Sequence, residues 1–441
     1  MTKLISRCKV DILKKLNGIV LHIILWGIYF VFLWGILGPY TICENSTIKD
    51  NIFLISMGLL IIPFIWNLVS CHKFEFARTI KQNILIFIYI GIRLFFLYKQ
   101  NMDITILRTI LIEILFFLLM NNILVKNIKS IDGMIRFFLV FVFVCNIATI
   151  LISLKINIEN LASYPFLNQL VLSNGGNLNT IIIRNTNFLG IITGFSLMLS
   201  VWYLNKKKPW FWCHLILGLY FLWFAKCRSS QIAVVLCLVA YGVVSISSKI
   251  KERHIAYITL TCSLCMSILI GIFAIDNTNN HRTFFDLSEE ESQIQMFSTG
   301  RYILWKSDIN VGKNHFMFGS GSFEKQKENR KEFLLKHTSL GIEEQEVINS
   351  IQYFNSHNGY IGLFAVTGFS GLLLFILILF QKIRNMDEIS CQKWCLPLSY
   401  FFIINLFEDY YLRTPVFLFV CLFFMAIFLG MGSKNKLIPK S

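Results

Sequence analysis

The chain has 441 residues, of which 55% are hydrophobic and only 15% are charged, and its mean hydropathy is +0.62. A soluble protein carries about 25% charged residues, so this composition excludes an ordinary soluble domain. The formal net charge of +16 is compatible with nucleic-acid binding or with the cytoplasmic loops of a membrane protein, and the distribution of the basic residues decides between the two.

Apolar stretches of membrane-spanning length recur along the whole chain. A bilayer core of about 30 Å needs roughly 20 apolar residues in a helix. On this measure the sequence predicts twelve spans, at residues 17–39, 51–70, 82–98, 104–125, 133–154, 187–204, 209–225, 229–247, 255–275, 358–380, 394–407 and 415–432. The first span is too long for a cleaved signal peptide and is predicted to remain as a membrane helix.

Lys and Arg residues collect in alternate connecting segments. With the N-terminus inside, most of them fall in the inner segments, for example at 206–208 and 249–253, and few fall in the short outer loops. This is the bias of cytoplasmic loops in polytopic proteins, and it holds along all twelve predicted spans. Both termini are therefore predicted to be cytoplasmic, and no nucleic-acid partner is expected.

The spans divide the chain into three predicted regions. Residues 1–275 contain spans one to nine with an outer segment at 155–186, residues 276–357 form a large outer loop, and residues 358–441 contain the last three spans and a cytoplasmic tail. A loop this long is typically functional or disordered. Charges interleaved with apolar residues at 323–337 predict an amphipathic helix on the membrane surface.

Two residue sets in the chain invite a metal-site interpretation that we reject. Glu289, Glu290 and Glu291 are consecutive, and consecutive side chains do not converge on one point, so they are interpreted as a solvated charge run. None of the 12 cysteines falls in the large outer loop, and their spacing indicates helix packing in place of a metal or disulfide framework. No metal and no cofactor is predicted.

Three outward side chains beside predicted membrane ends are candidates for function. Arg228 follows Lys226 where span seven leaves the membrane, Arg301 lies early in the large loop, and His357 directly precedes span ten. An Arg so close to hydrocarbon either snorkels or meets an anion. A surface position for Arg301 and a backbone hydrogen bond for His357 are the simpler alternatives, and the residues alone leave them open.

Short motifs surround these candidates. Residues 226–230 have the sequence Lys-Cys-Arg-Ser-Ser, residues 298–305 contain Gly-Arg-x-x-x-Trp, and residues 319–321 are Gly-Ser-Gly. Residues 357–361 are His-Asn-Gly-Tyr-Ile, and residues 367–372 are Thr-Gly-Phe-Ser-Gly-Leu.

In their order and their placement around one long outer loop, these motifs resemble the O-antigen polymerase and O-antigen ligase superfamily of bacterial envelope polysaccharide enzymes. The resemblance covers roughly residues 180–410. Cys227 stands where Ser is usual in the family's Ser-Arg turn, and Asn185 and Asn187 loosely match an Asn-Pro-Asn segment without its Pro.

The resemblance implies an all-α, GT-C-like integral membrane protein of about twelve helices in the bacterial cytoplasmic membrane. It implies a glycosyltransferase that acts on undecaprenyl-pyrophosphate-linked oligosaccharides on the outer side. Because both long outer segments are elaborate, we expect a polymerase of the repeat units that yields O-antigen, capsule or exopolysaccharide. A direct displacement inverts the anomeric centre and arginines can replace a metal, so the enzyme is predicted to be inverting and metal-independent. An O-antigen ligase that transfers the glycan to lipid A core is the alternative. Membrane lipids, a flippase and a chain-length regulator are the further expected partners.

The chemistry of the candidates agrees with this activity. Guanidinium groups match phosphate oxygens, so Arg228 and Arg301 are predicted to hold the leaving pyrophosphate, and His357 is the predicted general base. Glu408 is expected either to orient His357 or to bind acceptor hydroxyls. The predicted binding set for pyrophosphate or sugar is Arg184, Asn187, Lys226, Tyr302, Asn358, Tyr360 and Glu408.

A secondary transporter or lipid-linked oligosaccharide flippase is the main rival from another class, because twelve spans with both termini inside is a common transporter plan. Transporters keep ionisable groups near the bilayer midplane and are often built from repeated halves. The chain has no convincing repeat, and its long loop lies between spans nine and ten and not at the centre. The sequence therefore favours the enzyme.

Overall fold

The computed structural model describes eleven stretches of the chain. They are residues 84–99, 128–155, 186–204, 206–225, 227–246, 251–276, 289–298, 301–321, 323–336, 356–386 and 388–408. The predicted spans at 17–39, 51–70, 104–125 and 415–432 lie outside these residues, as do Arg184 and Lys226. The side chain of Asn187 is also outside the description.

Every regular element in the described stretches is an α-helix. In chain order they are α1 (Ile84–Lys99), α2 (Ile128–Lys155), α3 (Thr186–Tyr203), α4 (Pro209–Phe224), α5 (Arg228–Ile246), α6 (Glu252–Asp276), α7 (Glu289–Phe297), α8 (Tyr302–Asn314), α9 (Phe323–Lys336), α10 (Gly359–Asn385) and α11 (Glu388–Ile404). Helices α1 to α6, α10 and α11 coincide with eight of the predicted spans.

Several of the described helices have the composition of membrane spans, and three of them also have the length. Within the described residues, α5, α6 and α10 are each long and apolar enough to cross a bilayer, and α2, α3 and α4 contain shorter apolar stretches. Large apolar side chains remain exposed on these helices, for example Val239 at 60% and Ile268 at 60%. The prediction of an all-α membrane protein is confirmed, whereas the count of twelve spans stays a prediction.

The described helices belong to two compact units. The first contains α2, α3 and α4, which are joined by buried polar contacts. The Thr193 hydroxyl donates to the Asn146 amide oxygen at 3.2 Å, and the Ser196 hydroxyl lies 3.4 Å from His214 Nε2. Such contacts between small and polar residues hold helices together in the absence of a hydrophobic driving force.

The second unit contains α1 and α5 to α11. Helix α8, which lies in the segment predicted to be a large outer loop, packs on α6 and α10 through an apolar cluster of Ala274, Tyr302, Trp305, Ile309 and Ile361. Since Tyr302 begins α8 and Ala274 is near the end of α6, the start of α8 lies beside the C-terminal end of α6. The described part of the chain between α6 and α10 therefore includes a helix, α8, that packs on both of them.

Helix α9 confirms the helix predicted at 323–337 but buries a different face from the expected one. Gln326, Arg330 and Leu334, at four-residue spacing, are fully buried, while Phe333 and Leu335 are only partly buried. The polar part of this face packs on α8, where Arg330 forms an ion pair with Asp308. Hydrophobic patterning does not predict this buried polar face, because a buried Arg cannot be distinguished from a solvated Arg in the sequence.

Helix α10 is interrupted at Gly368, which has φ 68° and ψ −171°. In a regular helix the N–H groups of the next two residues would donate four residues back. Here the Phe369 N–H donates to the Phe316 carbonyl at 2.7 Å and the Ser370 N–H to the Met317 carbonyl at 3.1 Å. Both acceptors lie in residues 315–321, which follow α8 and are called the loop tip below.

The carbonyls released by the interruption are also paired with the loop tip. The Ala365 carbonyl accepts from the Ser320 N–H at 2.9 Å, and the Val366 carbonyl accepts from the Gly321 N–H at 2.8 Å. Four bonds between the segments therefore replace two bonds within the helix. We call this exchange the backbone interlock between the loop tip and α10.

Glycine is required where the two backbones meet. Gly319 and Gly368 have positive φ values of 66° and 68°. A Cβ atom at Gly319 would overlap the backbone of Val366, and one at Gly368 would overlap the backbone of Phe318. Only glycine combines this conformation with so close an approach.

Candidate functional site

Arg301 precedes the first residue of α8 and reaches the segment that follows α11. Its Nη2 donates to Glu408 Oε1 at 2.9 Å, and its Nη1 donates to the Phe407 carbonyl. The Glu408 side chain is only 4% exposed and that of Arg301 is 19% exposed. A charge-assisted pair so shielded from water is stronger than a surface pair.

His357 contacts the other oxygen of the same carboxylate. Its Nδ1 lies 3.0 Å from Glu408 Oε2, and its side chain is 19% exposed. The backbone of His357 has φ 49°, the only positive φ of a non-glycine residue in the described stretches. Because this conformation is uncommon, the surrounding contacts must hold it in place. Arg301, His357 and Glu408 are called the Arg–His–Glu cluster below.

The carboxylate determines how the imidazole can act. An ionised carboxylate only accepts hydrogen bonds, so the contact with Glu408 assigns the proton to Nδ1 when His357 is neutral. Nε2 then has a free lone pair and is able to take a proton. An imidazole oriented by a carboxylate in this way has the arrangement of a general base.

Both oxygens of Glu408 are engaged inside the cluster. Of the two roles that the sequence left open, orienting His357 fits this geometry better than binding an acceptor hydroxyl. Glu408 follows Arg301 by 107 residues and His357 by 51 residues in the sequence. Helices α8, α10 and α11 therefore bring the cluster together.

Asn358 and Tyr360, both predicted to bind substrate, fasten the start of α10. The Asn358 side-chain oxygen accepts from the N–H groups of Tyr360 and Ile361 at 3.0 and 3.1 Å, which is a helix N-cap. The Tyr360 hydroxyl donates to the Phe402 carbonyl at 3.2 Å. Asn358 and Tyr360 are buried, so their positions favour support of His357 over contact with substrate.

Tyr302 is also placed differently from the sequence prediction. Its side chain is fully buried in the apolar cluster of α6, α8 and α10, and its ring lies 6.2 Å from that of Phe273. Successive residues of a helix point about 100° apart, so the neighbour of an outward Arg can face the core. The position of Tyr302 favours a packing role.

Arg228 is the exposed first residue of α5. Ser230, two residues later, is hydrogen-bonded at 2.7 Å to Tyr400 in the last five residues of α11. The start of α5 and the end of α11 are therefore neighbours, and Arg228 is at the same end of this helix pair as Glu408. Among the described residues, none forms a hydrogen bond or ion pair with the Arg228 side chain.

A buried polar network that the sequence did not indicate reaches the residue next to His357. Arg330 binds both oxygens of Asp308, at 2.7 Å through Nε and 2.5 Å through Nη2. The Gln326 amide donates to Asp308 at 2.7 Å and to the Ser356 hydroxyl at 3.3 Å. Because Ser356 directly precedes His357, the network connects α8 and α9 to the residue that holds the imidazole.

No group of His, Cys, Asp and Glu side chains suited to a metal ion occurs in the described part of the chain.

Residues 213–376 match the protein-family model described as O-antigen ligase. The resemblance to the O-antigen polymerase and ligase superfamily is confirmed. The matched segment contains Arg228, Arg301 and His357 and ends before Glu408. No curated protein matches the chain. Members of the superfamily are glycosyltransferase-like membrane enzymes that act on lipid-linked glycans.

Proposed function

We propose that the protein is an inverting, metal-independent glycosyltransferase that polymerises undecaprenyl-pyrophosphate-linked oligosaccharide repeat units. The reaction takes place on the outer side of the bacterial cytoplasmic membrane and yields a surface polysaccharide. The observation that supports this proposal best is the Arg–His–Glu cluster, in which one buried carboxylate contacts both an arginine and a histidine.

In the proposed reaction, His357 Nε2 takes the proton from a hydroxyl of the acceptor glycan. The hydroxyl oxygen attacks the anomeric carbon of the donor, the bond from that carbon to the phosphate oxygen breaks, and the pyrophosphate leaves with the electron pair. Displacement from the opposite face inverts the anomeric centre. Transfer of this kind passes through an oxocarbenium-like state, so negative charge grows on the leaving group.

Arginine side chains are proposed to stabilise that charge. Two of the five N–H donors of Arg301 are used by Glu408 and Phe407, and three remain for phosphate oxygens. Arg228 is exposed at the same end of its helix pair and supplies a second guanidinium. Arg184, Asn187 and Lys226 remain proposed substrate contacts from the sequence.

Transfer of the glycan to lipid A core is the second candidate function. The description of the matching family as O-antigen ligase favours it. The two reactions use the same donor and base and differ in the acceptor. A flippase that delivers the donor and a chain-length regulator are the proposed partners of the polymerase.

The test is reconstitution of the full-length protein in liposomes with a defined undecaprenyl-pyrophosphate-linked repeat unit. A polymerase produces a ladder of longer glycans from the repeat unit alone, whereas a ligase produces a single extended product only when lipid A core is added. Movement of the repeat unit across the bilayer without joining would contradict both and support the transporter alternative.

Two variants connect the activity to the cluster. His357→Ala removes the proposed base, and Arg301→Lys keeps a positive charge but loses the planar fork that pairs with phosphate and carboxylate. Each should reduce product formation by about 100-fold or more. His315→Ala is the matched control, because His315 is exposed in the same loop and its side chain has no part in the cluster. Normal extension by both variants would refute the proposed roles.

A further inference from the structure

Three consecutive apolar side chains of the loop tip are exposed. Phe316 is 51% exposed, Met317 is 52% exposed and Phe318 is 44% exposed. All three lie in a segment that the sequence assigns to the outer aqueous side. Exposed apolar side chains gathered in one place indicate a surface that is normally covered by an apolar partner.

The exposed side chains continue a stripe on α10. Phe369, Leu373 and Leu377 are exposed at four-residue spacing and therefore lie on one face of that helix. The ring of Phe316 stacks on that of Phe369, with centroids 5.4 Å apart and planes inclined by 9°. Since α10 is long and apolar enough to cross a membrane, its exposed apolar stripe faces the lipid chains.

The length of α10 limits the depth at which this contact occurs. The helix has 27 residues and is about 40 Å long, which exceeds the bilayer core of about 30 Å by about 10 Å. Gly368 is about 14 Å of helix rise below the first residue, Gly359. Even if the whole excess projected on the outer side, the contact with the loop tip would lie about 4 Å inside the hydrocarbon.

The backbone interlock allows an irregular segment to lie at this depth. Unpaired N–H and C=O groups in hydrocarbon cost several kcal/mol each, so loops enter the bilayer only where their polar groups are satisfied by protein. The loop tip donates two backbone hydrogen bonds to α10 and accepts two from it. The interruption of α10 thus provides partners for the segment that enters beside it.

From these observations we propose that the loop tip is inserted into the outer leaflet, with Phe316, Met317 and Phe318 among phospholipid acyl chains. The three residues just before them, Lys313, Asn314 and His315, are exposed and polar and lie at the headgroups, where a lysine can extend to the water. The large outer loop is then anchored in the membrane at a point fixed relative to α10.

The proposal can be tested without any glycan substrate. A small fluorescent amino acid replaces Met317 in the full-length protein, which is reconstituted in phosphatidylcholine liposomes that contain no polyprenyl lipid. Quenching is measured with lipids that carry a nitroxide on the acyl chain or on the headgroup, and with iodide in the water. The matched control carries the same label at Glu328, which is 65% exposed on α9 in the same loop.

The label at Met317 should be quenched about twofold more strongly by the acyl-chain nitroxide than by the headgroup nitroxide, because it lies roughly 4–14 Å below the hydrocarbon boundary. Iodide should quench the control label and leave the Met317 label unaffected. Quenching of the Met317 label by iodide to the level of the control would overturn the proposal. Protection from all three quenchers would also overturn it, since protein would then cover the tip. The same label at Phe318 serves if labelling Met317 prevents folding.

Discussion

Replacement of Glu408 by Gln gives the sharpest test of the Arg–His–Glu cluster. Glu408 accepts from Arg301 with one oxygen and from His357 with the other, at 2.9 and 3.0 Å. A glutamine side chain has nearly the same shape but has one oxygen and one NH₂ group, so only one of these two partners can still donate to an oxygen. Either its NH₂ group faces the arginine, or it donates to Nδ1 of the histidine.

Both orientations of the amide harm the proposed reaction. An NH₂ group that donates to Nδ1 moves the imidazole proton to Nε2 and removes the proposed base. An NH₂ group directed at Arg301 cannot accept the hydrogen bond from Nη2, so the guanidinium is no longer held in position. General-base catalysis contributes about 10²–10⁴-fold, so Glu408→Gln should slow glycan extension by that factor, or about 3–5 kcal/mol in activation free energy. Loss of hydrogen bonds to charged groups should lower stability by about 1.5–3 kcal/mol.

The assay is the rate of ladder formation under single-turnover conditions, measured beside the melting temperature of the purified variant. Glu328→Gln is the matched control, because Glu328 forms an ion pair of the same 2.9 Å length with Lys325 but lies on the surface of α9. Exposed pairs contribute little, so this variant should extend glycans at the normal rate. Equal rates for Glu408→Gln and the unaltered protein, or an equal loss in the control, would refute the reasoning.

Two further predictions concern stability. Asp308→Asn removes the carboxylate that pairs with the fully buried Arg330 and should lower the free energy of unfolding by about 3–5 kcal/mol, measured as a lower melting temperature. Adding Arg330→Met should recover most of the lost stability. A double variant as unstable as the single variant would argue against the ion pair as the cause. Gly368→Ala introduces a Cβ where the backbone of Phe318 lies and should greatly reduce the yield of folded protein. Gly242→Ala, which meets nothing within 4 Å, is the control, and equal yields of the two would contradict the backbone interlock.

Most of the described helix limits follow from hydropathy, and the largest difference has a physical cause. The predicted span 229–247 corresponds to α5, Arg228–Ile246, because a charged residue marks the start of its apolar run. The span predicted at 394–407 corresponds to α11, which begins earlier, at Glu388. The first six residues of α11 include the polar or charged Glu388, Ser390, Gln392 and Lys393, so a search for apolar runs misses them.

The site was only partly predictable, because its contacts are long-range. Motif order indicated Arg301 and His357, and the sequence offered Glu408 as a partner without any means of placing it near them. Tyr302 and Asn358, which the sequence predicts to bind substrate, directly follow Arg301 and His357 in the chain. Adjacent residues on a helix or at its cap face different directions, and both side chains proved to be buried.

The backbone interlock gives a reason why the Gly-Ser-Gly and Thr-Gly segments accompany the cluster. Helix α8 begins next to Arg301 and ends at the loop tip, and α10 begins next to His357 and reaches the loop tip at Gly368. The two helices are joined to each other at the loop tip, and their first turns are joined through Glu408. Because α8 and α10 are connected both at the loop tip and through Glu408, Arg301 and the imidazole of His357 stay at a fixed separation. A reaction that uses both groups at once requires this.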